Sequence, residues 1–142
     1  MNEDEEKDLF GQLIFSGDIE KVKEYILKGV DLNKINSNGM IPLIFAVEGD
    51  QPKMLELLLK NGANPNIKSN ISGTTALHWA IEYANDGMNQ SQRSTPFPEP
   101  LECIRILLRY GADKTSKDDN QKTPLEYNRT EIIRDMIINY NG

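Results

Sequence analysis

His78 is the sole histidine and Cys103 the sole cysteine of the 142-residue chain, so few side chains could do nucleophilic or metal chemistry. One helical turn apart, His78 and Glu82 would share a helix face. There they could pass a proton, as a general base does when a polar pocket holds substrate beside it. One histidine cannot build a histidine-based metal site, and a catalytic triad has no thiol besides Cys103. The stretch KDDNQ from Lys117 to Gln121 lacks the alternating ligands and the glycine of a calcium loop. No glycine-rich phosphate loop follows a strand pattern. These residues point away from an enzyme, a cofactor or a metal, and leave a ligand-binding or hydrolytic role for His78 with Glu82 as the one catalytic hint.

The elements around them repeat. SGDIEKVKEYILKGVDLN, ending at Asn33, and EGDQPKMLELLLKNGANPN, ending at Asn66, align without gaps, with Gly29 and Gly62 33 residues apart. A third copy, LECIRILLRYGAD, puts Gly111 in the same role 49 residues after Gly62. The period is thus 33 with one interruption of 16. Upstream, NSNGMIPLIFAV, NISGTTALHWAI and DDNQKTPLEYN also fall in register. In each unit a polar cluster with Gly39 or Gly73 marks a tight turn at a hairpin tip. A short first helix follows, opened at Thr123-Pro124 by a cap and a proline. The second helix, as in Met54–Lys60, has Met54, Leu55, Leu58 and Leu59 at helical spacing and stops at Gly62. One such pair cannot close a core, so neighbours must stack.

The segments GTTALHWA, LECIRILLRYGAD and KTPL resemble the ankyrin repeat. The resemblance covers nearly the whole chain and implies an all-α solenoid of four helix-turn-helix units with short β-hairpin loops. One domain, 1–142, would hold repeats of about 1–35, 36–68, 69–117 and 118–142. The first copy lacks the turn and the Thr-Pro-Leu segment, and the second has Ile41-Pro42-Leu43-Ile44 without the threonine or the histidine. The fourth is short between Tyr127 and Ile132. Atypical end copies are what a stack needs, and Lys21 accordingly fills the slot held by Met54 and Cys103 inside. By the same resemblance His78 is a structural histidine bonding backbone between units. Cys103, aligned with Met54, is a small buried hydrophobe. Phe45, Trp79 and Tyr127 share one position on three first helices, expected to face the core; Trp79→Ala should then cost about 3–5 kcal/mol.

The resemblance also implies binding of another protein by hairpin tips and first-helix ends lining a concave face. Carried over by position, these are Ser37, Asn38 and Met40, then Ile71, Ser72 and Thr74, then Asp119, Asn120 and Lys122. The first helices add Phe15, Ser16, Glu48, Glu82 and Tyr83. Phe15, Met40, Ile71 and Tyr83 are expected to expose apolar or aromatic surface. The interruption, placed at 85–99, lengthens the link between two helices from about 3 to about 18 residues at a closure cost of roughly 1.6 kcal/mol. Its Met88, Arg93 and Phe97 could meet the partner.

Net charge is −6, and within the first eight residues Glu3, Asp4, Glu5, Glu6 and Asp8 face only Lys7. Such a balance disfavours nucleic acid as partner. No apolar run approaches a membrane span, and no basic-then-apolar segment marks secretion at the N-terminus. A soluble cytoplasmic protein is expected, monomeric or in a 1:1 heterocomplex. It would mask or inhibit its partner, as immunity proteins do toxins or enzymes, or else recruit it as an adaptor.

Overall fold

The computed structural model describes residues 3–91 and 98–140. In chain order the helices are α1 (Glu3–Ser16), α2 (Ile19–Leu27), α3 (Pro42–Glu48), α4 (Pro52–Lys60), α5 (Ala76–Ser91) and α6 (Pro98–Arg109). A 3-10 turn (Pro124–Tyr127) and α7 (Glu131–Ile138) follow. The helices pair as α1/α2, α3/α4 and α5/α6, and the pairs stack: α1 packs on α3, α3 on α5, α5 on the 3-10 turn, and α4 on α6.

Local chemistry explains the boundaries. Asp18 Oδ1 accepts the Lys21 N–H at 3.3 Å and starts α2, while α4 begins on Pro52, whose missing N–H is not needed in a first turn. Along α4 the buried Met54, Leu55, Leu58 and Leu59 form one stripe. The helix stops at Gly62, at φ 102°, where the Ala63 N–H reaches the Leu58 carbonyl at 3.0 Å. Between the stacked helices Ile14, Ile44, Leu55, Leu58, Leu77, Ile81, Ile104 and Leu107 are fully buried, forming one core that runs the length of the stack.

Three hairpin-like tips project from the stack, called second, third and fourth after their units, each closed across its base by a main-chain bond: Asn36 N–H to Met40 O, Ser69 N–H to Thr74 O and Asp118 N–H to Lys122 O, at 2.8, 2.8 and 2.9 Å. No strand is formed among the described residues. A polar side chain anchors the base of each tip. Asn36 Oδ1 accepts the N–H groups of Asn38 and Met40, and Asp118 Oδ1 those of Asn120 and Lys122. Ser69 Oγ accepts the Ile71 N–H. In the fourth tip Gln121 sits at φ 64° in the slot that Gly39 fills at 81°. Since a side chain there costs about 1–2 kcal/mol, Gln121→Gly is expected to stabilise by about 1 kcal/mol, a rise of about 3 °C in thermal midpoint. An unchanged midpoint in a calorimetric scan would contradict that.

Two asparagines one period apart fasten successive units. Asn33 Nδ2 donates to Gly62 O and its Oδ1 accepts the Asn64 N–H; Asn66 does the same to Gly111 O and the Asp113 N–H.

The interruption corrects one expectation. Instead of a long link without helix, α5 runs on to Ser91, 16 residues against seven in α3, and α6 starts at Pro98 rather than at Pro100. Asn85, expected in the insertion, is buried inside α5; its Nδ2 donates to Tyr127 O at 2.8 Å and its Oδ1 accepts the Arg129 N–H. It thereby holds the 3-10 turn that replaces a first helix in the short fourth unit.

Candidate functional site

His78 is fully buried where the third and fourth units meet. Nδ1 lies 3.1 Å from the Thr75 N–H nitrogen and 2.9 Å from Thr75 Oγ1. Because a backbone N–H can only donate, Nδ1 is the acceptor, so Nε2 carries the proton and donates to Lys122 O at 2.9 Å. Burial pushes the His78 pKa down, against the smaller opposing pulls of the Lys122 carbonyl and Asp118. The ring is thus neutral and both nitrogens are engaged. Glu82 in turn pairs with Arg129 at 3.6 Å. The shared proton that helical spacing allowed to His78 and Glu82 has no free ring nitrogen to serve it.

Beside His78 the Tyr127 ring stands edge-on, 4.9 Å away centre to centre, and its hydroxyl donates to Asp118 Oδ2. That bond, with the Lys122 N–H next, holds the Asp118 carboxyl below the usual range. Burial, reinforced by Asp118, pushes the tyrosine up. A polar relay of His78, Lys122, Asp118 and Tyr127 therefore sets the fourth tip against the third unit.

The tips form one rim. The Asn70 N–H donates to Gly39 O at 3.0 Å and the Asp119 N–H to Ser72 O at 2.8 Å, while Ser37 Oγ reaches Asp8 at 3.2 Å. Ser37, Asn38, Ile71, Ser72, Asp119, Asn120 and Lys122 are exposed along it. Phe15 is 48% exposed at the end of α1, next to Ser16. Glu48, at the end of α3, and Glu82 and Tyr83, midway along α5, are half-buried. Burial raises the Glu48 pKa, countered by a hydrogen bond with Tyr83.

Two expected surface residues are buried instead. Met40, 7% exposed, turns into the core below its tip. The Thr74 hydroxyl donates to Ile71 O at 2.8 Å, lies 2.9 Å from Ser69 Oγ and accepts from Trp79 Nε1 of α5 at 2.7 Å. Met88 belongs to α5, with its side chain outside the described residues, as are Arg93 and Phe97 altogether. Phe45, Trp79 and Tyr127 pack against the core but are only partly buried, and Trp79 stacks on Tyr83 at 6.2 Å. Arg129 escaped the sequence reading, because the fourth unit breaks the pattern where it stands. Among the described residues, no helix is long and apolar enough to cross a membrane, and no cluster of histidine, cysteine and acidic groups could hold a metal.

A family model described as ankyrin repeats in three copies matches residues 11–90, and a single-repeat model matches 72–119. The chain belongs to the ankyrin repeat family. Its solved neighbours include the ankyrin repeat domain of Bcl-3, described as a unique member of the IkappaB protein family. That domain has a TM-score of 0.75 and 29% identity over 91% of this ankyrin chain and 50% of the other. Among curated relatives, the putative ankyrin repeat protein FPV031 of fowlpox virus is 30% identical, over 84% of this chain and 43% of its own length. The mouse B-cell lymphoma 3 protein homolog is 33% identical over 78% of this chain and 21% of its own. The chain thus spans less than half the length of these relatives. An ankyrin repeat stack is a protein–protein interaction module.

Proposed function

We propose that this ankyrin repeat protein, acting in the cytoplasm without catalysis, binds one partner protein and masks it, as an immunity-type inhibitor covers a toxin or an enzyme. The contact runs from Phe15 and Glu48 to Tyr83, across Ser37, Asn38, Ile71 and Ser72, to Asp119, Asn120 and Lys122. The observation that carries this reading is the main-chain bonding of one tip to the next. Tips held in register need little ordering when a partner docks, so more of the contact energy appears as affinity. Ile71, 37% exposed among polar neighbours, supplies an apolar anchor.

The double variant Ile71→Arg, Asn120→Arg alters only exposed side chains and is expected to keep the thermal midpoint. Used as bait in the native cell, it should lose the protein that the unaltered chain captures, and light scattering of the unaltered complex should give a 1:1 mass. Retention of that protein by the variant would remove the rim from the interface. A complex with two different proteins bound at once would replace masking by the adaptor role.

A further inference from the structure

The second tip contains an unmet hydrogen-bond donor. Asn36 is 9% exposed, and its Oδ1 accepts two backbone N–H groups, which fixes the amide orientation and makes Nδ2 the donor end. That nitrogen is buried without a partner among the described residues. The other tips differ. Asp118, in the same slot, has its second oxygen taken by the Tyr127 hydroxyl, and Ser69 is joined through Thr74 to Trp79. The matching first-helix residue of the second unit is Phe45, which has no hydroxyl to offer.

Asn36 also lines a cavity of about 620 Å³ at the first-unit end of the stack, walled by Leu9, Phe10, Tyr25, Met40 and Phe45. Gly11, on α1, also lines it and lets the Phe45 ring pack directly against the helix backbone; a Cβ there would come within 2.7 Å of that ring. The volume lies in the range of small-ligand sites, and an apolar wall with one buried polar group is their usual composition. Lys21, Lys28 and Lys34 at its edge are nearly balanced by Glu24 and Asp31. The buried group is a neutral donor, and burying an anion against it would cost more than the bond returns.

We propose that this cavity is a second binding site, for a compact, mainly apolar molecule presenting an uncharged carbonyl oxygen to Asn36 Nδ2. An apolar peptide segment of a protein and a free amide metabolite share that chemistry. The site shares Asn36 and Met40 with the second tip but includes none of the exposed rim side chains, and it does not depend on the masking role.

The test is a ¹⁵N-edited NMR titration of the full chain with two probes at millimolar concentration, N-acetyl-leucyl-phenylalaninamide and N-ethylbenzamide. Saturable shifts of the Asn36 side-chain amide and of the Gly11 N–H are expected with at least one. The dipeptide alone would assign the site to peptide segments, the benzamide alone to free amides, and both to the shared chemistry. Two variants check the donor. Asn36→Asp keeps the turn, as Asp118 does in its own tip, but removes the N–H groups; Phe45→Tyr puts a hydroxyl where Tyr127 has one and closes the donor internally. Each should weaken binding by about tenfold, the loss of roughly one hydrogen bond, with a folded spectrum retained. Absence of saturable shifts with both probes, or equal affinity of both folded variants, would overturn the proposal.

Discussion

His78→Ala is expected to lower stability by about 3 kcal/mol, read as the urea midpoint at constant slope, and to free the fourth tip from the third unit. The ring fills buried space and satisfies the Thr75 N–H, which loses its partner in the variant, while the Lys122 carbonyl loses one of its two and keeps the Asp118 N–H. The native protein should show a matching pH response. With the folded pKa pushed below its ordinary value, the unfolded chain takes up the proton first as pH falls, at about 6.5. The stability contribution of His78 is therefore fully present above that pH and lost progressively below it, toward the folded pKa. Asp118, held low by Tyr127, adds a separate loss below about pH 4, where the unfolded chain protonates first. His78→Gln should abolish the first loss and keep the second. A wild-type midpoint flat between pH 7 and 5 would contradict the neutral, doubly bonded ring.

Gly49→Ala is expected to be equally damaging, for a different reason. Gly49 has an ordinary φ of −82°, so its backbone would accept any residue; what forbids a side chain is the neighbouring main chain. A Cβ would lie 2.2 Å from the Phe15 carbonyl oxygen and 3.1 Å from its Cα. That end of α1 is itself fixed, by the Gly17 N–H on Ile14 O and the Asp18 N–H on Leu13 O. Overpacking costs about 1–3 kcal/mol when side chains can shift, so a collision between two bonded backbones should cost about 3 kcal/mol or more. A loss under about 1 kcal/mol in the same denaturation assay would show that the two helices slide apart freely.

The repeat made most of this architecture legible from sequence. Spacing of Met54, Leu55, Leu58 and Leu59, with glycine stops at a constant interval, depends on local periodicity, and the buried stripe and left-handed caps followed it. The burial of His78 and its backbone bond between units were implied by resemblance, and the geometry agrees. What sequence misjudged was decided by tertiary contact. The Asn, Asp and Gly residues after Tyr83 are weak helix formers, yet each costs at most about 1 kcal/mol, and lengthening an existing helix avoids the nucleation cost. Asn85, bonded to the fourth unit, then favours the extension. Pro98 and Pro100 both fit in the first turn of α6, where N–H groups lack helical partners anyway. Met40 and Thr74 looked exposed because tips are generally polar, but the turn at each directs one side chain inward. The unpaired Asn36 amide could be found only by comparing three tips in space.

The matched amides of Asn33 and Asn66 bear on how the molecule comes apart. Each joins the end of one unit to the end of the next and to nothing farther along. Cooperativity in such a row passes only between neighbours. Asn66→Ala therefore weakens the coupling at mid-row without abolishing it, because α3 still packs on α5 and α4 on α6: hydrogen exchange in α2 and α6 should then differ more than in the unaltered chain.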